Sequence, residues 1–372
     1  MKKLRTEVAV VGGGPAGLSA AAEAARAGAK VLLIDENKRL GGQLVKQIHK
    51  FFGSEAHHAG VRGYQIARRL LRDVEDAGVT VASNALAYGL FPEKELGVVW
   101  DGKHCQVSAE RIVLAAGAKE NYLAFPGSTL PGVMGAGAAQ TMANINRVLP
   151  GRRIVMLGSG NVGLIVSYQL MQAGADVVAV VEGADHIGGY GVHAAKLRRA
   201  GVPFYLSHTV KRASGDGALA RVEIVQVGKN WQSIPGTELT LEADTLCLAA
   251  GLNPMTELAW MAGCAFLYLP AFGGHVPAHD AKMETTVPGV YVAGDITGVE
   301  EASTAMEEGR MAGLSAAESL GYGAGAALDA ERAAIQRRLD DLRAGERGAI
   351  RRESKARQTA AAANQRQGGG AT

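Results

Sequence analysis

The sequence predicts an α/β fold made of two parallel-sheet domains of the same kind, the second inserted into the first. Three observations carry this. Residues 7–11 (EVAVV) form an apolar run that leads into a glycine turn, 12–17 (GGGPAG). An Ala-rich helix (18–27) follows, closed by Gly28, and then a second apolar run (31–34) that ends at Asp35 and Glu36. The same grammar returns at 154–157, with the turn 158–163 (GSGNVG), a helix over 164–172, and a strand over 177–181 followed by Glu182. Apolar strands ending in small residues stand at 111–118, 245–254 and 287–295, so strand material for the first sheet continues after the second copy. Strand–helix–strand order implies parallel pairing. Turns about 146 residues apart mark a repeated domain and not a solenoid unit.

Length and composition agree. A chain of 372 residues has room for two or three domains and a sizeable core. With 47% hydrophobic and 20% charged residues, the composition is that of a folded globular protein. Gly is abundant, 50 residues, but without the triplet period of collagen. Aromatic residues are 5%, too few for a base-stacking platform. The net charge of +3 is concentrated from Gly321 onward, where ten Arg and Lys face six Asp and Glu. The rest is close to neutral, so no nucleic-acid partner is expected. Cys105, Cys247 and Cys264 form no CxxC and no zinc spacing, so neither a disulfide framework nor a metal site is expected. Residues 1–5 lead straight into a strand and leave no room for a signal peptide, and no apolar run reaches the ~18 residues of a membrane span. A cytoplasmic setting is expected.

The two turns carry the chemistry. In the first, Gly12 permits the tight turn, Gly14 lets a pyrophosphate approach the backbone, and Gly17 lets the helix pack on the strand; Pro15 and Ala16 open the helix whose N-terminus faces the phosphates. Asp35, eighteen residues after Gly17, is placed to accept both ribose hydroxyls, with Glu36 beside it. Residues 39–44 (RLGGQL) add a Gly-Gly pair ending at Gly42 that lets the chain curl back over a long dinucleotide, and Gln43 offers an amide. In the second turn Gly158, Gly160 and Gly163, with Asn161 and Val162, repeat the argument. Glu182 lies nineteen residues after Gly163; an acid there favours a free 2′-hydroxyl, hence NAD over NADP, and no Arg pair follows. Asp295 follows Gly294 at a strand end, suited to a polyol chain, and the helix beginning near Ala302 points a positive dipole end the same way.

GGGPAG with Asp35 and GGQ, LAAGA at Leu114, LAAGLNP at Leu248 and YVAGD at Tyr291 fall in the order seen in the two-dinucleotide-binding-domain flavoproteins, which the chain resembles from residue 4 to about 320. The resemblance implies that 1–120 and 246–320 bind FAD, that 121–245 is an NAD(P) domain, and that 321–372 is a charged helical or disordered tail. It implies that Gly12, Gly14 and Gly17 cradle the FAD pyrophosphate, Asp35 holds the adenosine ribose, and Asp295 holds the ribityl chain. Ala116, Gly117 and Gly251 lie on the accompanying strand ends, and the helix at Ala302 faces the flavin ring. GGQL is similar to thioredoxin reductases, but the redox CxxC is missing here, and so is the Cys pair of glutathione-type reductases. Disulfide reduction is therefore not expected.

A closer resemblance runs over 125–139 (FPGSTLPGVMGAGAA), to flavoprotein subunits of opine, hydrogen-cyanide-forming, sarcosine and dye-linked proline dehydrogenase systems. It implies hydride exchange between NAD(H) and FAD, an amine or amino-acid small-molecule substrate, partner dehydrogenase or iron–sulfur subunits, and an oligomer. Residues 321–372 hold no Cys, so an iron–sulfur centre is expected on another polypeptide. A reductase of ferredoxin or another small electron carrier fits the same motifs. Residues 43–66 gather Lys46, His49, Lys50, His57, His58 and Arg62 beside the expected flavin. They read either as a substrate or partner pocket, with Lys46 and His49 as catalytic candidates, or as a solvated connection. The tail reads as a helix over 327–343 followed by disorder from Arg357.

Overall fold

A computed structural model describes residues 2–323 and 325–368. The chain forms two compact units, Met1–Lys119 with Asn253–Thr372, and Glu120–Leu252. The first begins with β1 (Lys2–Val11), α1 (Pro15–Arg26), β2 (Val31–Ile34), α2 (Gly63–Asp76), β3 (Thr80–Ala82), β4 (Ala85–Phe91), β5 (Glu95–Trp100) and β6 (Lys103–Leu114). The second contains β7 (Val133–Gly135), β8 (Arg153–Leu157), α3 (Asn161–Gln172), β9 (Asp176–Glu182), α4 (Gly191–Arg199) and β10 (Phe204–Leu206). It continues with β11 (His208–Ser214), β12 (Arg221–Gln226), β13 (Leu239–Glu242) and β14 (Thr245–Leu248). The chain returns to the first unit with β15 (Val290–Val292), α5 (Ala302–Glu318), α6 (Ala326–Leu342) and α7 (Gly345–Gly368).

Both units are built on one plan. In the first, β3-β2-β1-β6-β15 run parallel, and the β4–β5 hairpin adds antiparallel strands along the other half of β6. In the second, β10-β9-β8-β14-β7 run parallel, and β11–β13 form a separate antiparallel sheet. These are Rossmann-like sheets. The strands read as continuous apolar runs because both of their faces are covered: Val8, Ala9 and Val10 in β1, and Ile154, Val155 and Met156 in β8, are fully buried.

In the first unit α1 and α5 pack backbone to backbone. A Cβ on Gly309 would lie 2.1 Å from the Ala16 carbonyl oxygen, and one on Gly313 would lie 2.2 Å from that of Ala20. Only glycine allows this approach, which draws the first turn of α1 against the element that follows β15.

Two sequence expectations are corrected. The stretch 245–248 is β14, hydrogen-bonded to β8 and β7 in the second unit's sheet, so it does not rejoin the first. The return comes at Asn253. The tail is neither separate nor disordered from Arg357: α7 runs to Gly368, and residues 369–372 lie outside the described residues. Its Ala, Gln, Arg and Glu are strong helix formers. Lys355, Gln358 and Ala362, at i, i+3 and i+7, make its buried face. No helix among the described residues is long and apolar enough to cross a membrane.

Candidate functional site

In each unit the parallel strands end together. Val11 is in register with Ile34 and Leu114, and Leu114 with Val292, so Gly12, Asp35, Ala115 and Ala293 stand side by side at the carboxyl edge of the first sheet. Leu157 is in register with Val181 and Leu248, which does the same for Gly158, Glu182 and Ala249. Ligands of open α/β sheets bind at this edge.

The turns match atom by atom. Gly12 and Gly158 have φ of 106° and 105°, and a Cβ on either would strike the carbonyl oxygen of Ala115 or Ala249, at 2.2 and 2.3 Å. Cβ atoms on Gly17 and Gly163 would strike the carbonyls of Gly12 and Gly158, at 1.7 and 2.1 Å. Those four glycines serve packing. Gly14 and Gly160 differ: beside Gly14 the nearest atom is the Gly42 Cα at 4.0 Å, and beside Gly160 nothing lies within 4 Å. Each precedes a helix, with Pro15 or Asn161 as first helical residue, whose first-turn amides have no acceptor within the helix. Val162 is exposed there and Ala16 is buried.

Each turn is braced by its strand-end acid. Asp35 Oδ2 accepts from the Gly13 amide (2.6 Å) and Oδ1 from Asn37 (2.7 Å). Glu182 Oε2 accepts from the amide and hydroxyl of Ser159 (2.8 and 2.7 Å), and Oε1 from Ala184 (2.9 Å). A carboxylate has about four acceptor sites, so both retain capacity for a ligand's hydroxyls. Glu36 is exposed beside the first brace.

A further parallel lies outside the sequence expectations. Gly41-Gly42 follow Asp35 by six and seven residues, and Gly188-Gly189 follow Glu182 by the same intervals. Gly41 donates to the Gly13 carbonyl (2.7 Å) and Gly189 to that of Ser159 (2.8 Å), so both loops curl back onto their turns. The repeated spacing is the signal in the sequence that could have found it. Gln43, next in the first loop, is exposed.

Gly294 sits against the first turn: a Cβ there would lie 2.8 Å from the Ala16 Cβ. Asp295 follows, its Oδ1 accepting, among the described residues, only a long hydrogen bond from the Glu300 amide (3.4 Å). Burial pushes its carboxyl up to about 6, with Glu308 and Glu300 adding to the rise and the Glu300 amide and Lys355 opposing it. Ala302 is the first residue of α5. Ala116 and Gly117 follow β6, and Gly117 has open space beside it, whereas Gly251 belongs to the second unit, next to the Asn121 amide.

Among the basic residues over 43–66, Lys50 and Arg62 pair in an antiparallel bridge. Lys46 ends a 3-10 turn, Gly42–Lys46, and His49 stacks on Phe51. Arg62 donates to the Ile48 carbonyl. His57 turns inward between Ser54 (2.9 Å) and Glu307 of α5 (3.1 Å), while His58 meets Arg69. Burial would raise the Glu307 carboxyl, but His57, Arg310 and Arg338 hold it below the usual range. The three cysteines are buried, and burial with Glu120 nearby pushes the Cys247 thiol up to about 12, the reverse of a reactive thiolate.

A family described as pyridine nucleotide-disulphide oxidoreductase matches residues 6–309. The chain belongs to that family. It is 29% identical over 331 residues to the A subunit of opine oxidase from Agrobacterium tumefaciens (strain Ach5), covering 84% of this chain and 66% of that one. It is 30% identical over 328 residues to the HcnB subunit of hydrogen cyanide synthase from Pseudomonas protegens (82% and 69%). It is 29% identical over 336 residues to the alpha subunit of sarcosine oxidase from Corynebacterium sp. (strain P-1), covering 86% and 33%. The chain thus spans about two thirds of the opine oxidase relative and a third of the sarcosine oxidase relative. In fold it is similar to thioredoxin reductase of T. acidophilum (TM-score 0.70, 20% identity, 85% of this chain and 99% of that one). It is also similar to L-proline dehydrogenase of P. horikoshii (0.68, 23%, 91% and 59%). Family and fold imply FAD and a pyridine nucleotide. The residues fit two dinucleotides: the open faces at Gly14 and Gly160 admit a pyrophosphate, both braced acids keep acceptor capacity, and Asp295 is a desolvated carboxylate short of donors.

Proposed function

We propose that this chain is an FAD-dependent oxidoreductase that exchanges a hydride between NAD(H) and FAD and exchanges electrons with an amine or amino-acid substrate or a partner subunit. The observation that carries this is the duplicated turn, open at Gly14 and Gly160 and braced by Asp35 and Glu182, with Gly294–Asp295 against the first copy. The first unit is the FAD domain and the second the NAD domain. FAD, when bound, supplies the capacity to accept a hydride and give up two electrons.

The chain's own residues bind and orient. Gly14 and the first amides of α1 receive the FAD pyrophosphate, Asp35 the adenosine ribose, and Asp295 the ribityl hydroxyls; Gln43 and the N-terminus of α5 at Ala302 lie toward the flavin end. Gly160, with the amides of Asn161, Val162 and Gly163, receives the second pyrophosphate. Glu182 selects a free 2′-hydroxyl and repels a 2′-phosphate, which makes the nucleotide NAD. Lys46 and His49 are the chain's candidates for moving a proton at the substrate. Three buried thiols, one with its pKa pushed to about 12, argue against disulfide reduction and fit a reducing, cytoplasmic setting. The names of the opine and sarcosine oxidase relatives support the amine or amino-acid substrate, and their being subunits supports partner chains.

The test is anaerobic addition of NADH to flavin-loaded protein, alone and with subunits copurified from the native source. NADH is expected to bleach the flavin absorbance, and candidate amines to do so in the presence of the partners. Gly160→Val, whose Cβ meets no atom within 4 Å beyond its chain neighbours, should leave folding and flavin content unchanged and weaken NADH binding about tenfold or more. A Gly160→Val protein that binds NADH as the wild type does would remove the second turn from the reading.

A further inference from the structure

One large aromatic side chain in the second unit has no role in the core. Trp231 lies in the loop between β12 and β13, is 66% exposed, and holds a positive φ of 60°, a conformation that side chains other than glycine seldom adopt. Its amide donates to the Gly228 carbonyl (3.0 Å), and Gly228 donates to Gln232 (3.0 Å), so a tight loop presents the indole. The six-membered ring lies on Gly183: a Cβ there would be 2.2 Å from Cζ3 and 2.6 Å from Cη2. Gly183 is the residue directly after Glu182. The loop is tied to the same strand ends, since Val227 donates to the Ser207 carbonyl (2.7 Å) and Ser207 to that of Ala184 (2.9 Å).

We propose that Trp231 is the adenine-stacking residue of the second nucleotide site, a binding determinant for the adenosine half of NAD(H). This rests on the reading of that site as the NAD site. The geometry supplies three reasons. Glu182, fixed by Ser159 and Ala184, is where an adenosine ribose is held, and an adenine attached to that ribose must lie beside the residues after the strand end. The indole is there, with most of its surface open to a planar partner. Glycine at 183 lets the ring approach the backbone closely, where a Cβ would lie 2.2 Å from Cζ3 and displace it. Aromatic faces stack on nucleobases without hydrogen-bond readout.

The test uses flavin-loaded full-length protein with Trp231→Ala and Trp231→Phe, titrated calorimetrically with NADH, ADP-ribose and reduced nicotinamide mononucleotide. Flavin content and melting temperature serve as folding controls. Trp231→Ala is expected to raise the Kd of both NADH and ADP-ribose about tenfold or more, Trp231→Phe to retain most of the affinity, and neither to change binding of the mononucleotide, which lacks adenine. Energy transfer from tryptophan to bound NADH should drop sharply in Trp231→Ala, with Trp100 and Trp260 still present. Unchanged or tighter binding of ADP-ribose by Trp231→Ala overturns the proposal; tighter binding would mean that the indole occupies the slot itself. If wild-type protein binds neither NADH nor ADP-ribose saturably, the NAD reading of the second unit fails, and this inference fails with it.

Discussion

Glu308→Ala is expected to destabilise the protein by about 3–5 kcal/mol, the scale of breaking a buried ion network from one side. Glu308 lies on α5 and is 2% exposed. Its Oε2 accepts from the Gly294 amide (3.0 Å) and the Thr297 hydroxyl (2.8 Å); its Oε1 accepts from Arg343 (2.6 Å) and Lys355 (2.9 Å). Burial alone would raise this carboxyl, but Lys355 and Arg343 outweigh it and hold it well below the usual carboxylate range. Arg343 also pairs with Glu300 (2.7 Å), and Lys355 and Gln358 reach Thr297. The network thus ties α7 and the end of α6 to the turn that carries Asp295. Alanine leaves two buried cations short of a partner and the Gly294 amide without its acceptor. Urea unfolding should show the loss, and limited proteolysis should cut α7 far faster than in the wild type. Because the carboxyl titrates low, its contribution is present above pH 4.5, the ordinary Glu value, and is lost as the pH falls below that. An alanine variant as stable and as protease-resistant as the wild type would show that the network does not hold the tail.

Asp295 should give effects of opposite sign on stability and on flavin. Its carboxyl rises from the ordinary 3.8 to about 6, so keeping it charged costs stability. That cost grows as the pH rises from 3.8 through 6 and is complete above it. At neutral pH Asp295→Asn should therefore stabilise the flavin-free protein, by about 3 kcal/mol at most, and flatten its stability between those pH values. The same substitution removes an ionised acceptor for the ribityl hydroxyls, and Asp295→Ala removes all of it. FAD retention should weaken about 10- to 100-fold in the alanine variant. A residue with only a packing role would move stability and flavin content in the same direction. Flavin titrations of the apo variants, alongside their thermal unfolding at several pH values, read both quantities. Wild-type flavin affinity in Asp295→Ala would count against the assigned contact.

The glycine turns are legible in the sequence because their meaning is local. A GxGxxG between an apolar strand and a helix constrains backbone φ and close approach within six residues, and Asp35 and Glu182 follow at a spacing set by one helix and one strand. The second Gly-Gly pair, 188–189, is equally local, but its meaning emerges only when its spacing from Glu182 is set against that of 41–42 from Asp35. What the sequence does not disclose is long-range and polar. The Glu308 network joins residues 294, 297, 308, 343 and 355, and its tail members are charged, so hydrophobic periodicity cannot register the buried face of α7. The Ala-, Gln- and Gly-rich segment from Arg357 reads as disorder by composition, although its Ala and Gln are good helix formers once the helix is anchored by Lys355 and Gln358. His57 likewise reads as part of a surface cluster, because its partner Glu307 lies 250 residues away. The boundary at 245 is misplaced by sequence reasoning because β14 has the same small-residue ending as β6, and only pairing with β8 assigns it.

The most direct test is to denature purified protein, identify the released dinucleotide by mass spectrometry and measure its amount per chain, for the wild type and for Gly14→Val. Valine at position 14 adopts an ordinary backbone conformation, φ −78° and ψ −174°, and its Cβ comes no closer than 4.0 Å to other atoms of the chain, so the variant should fold normally. Close to one FAD per wild-type chain is expected, and little or none in folded Gly14→Val. A wild type that is colourless and takes up no added FAD, or a Gly14→Val protein that carries as much FAD as the wild type, would contradict that expectation.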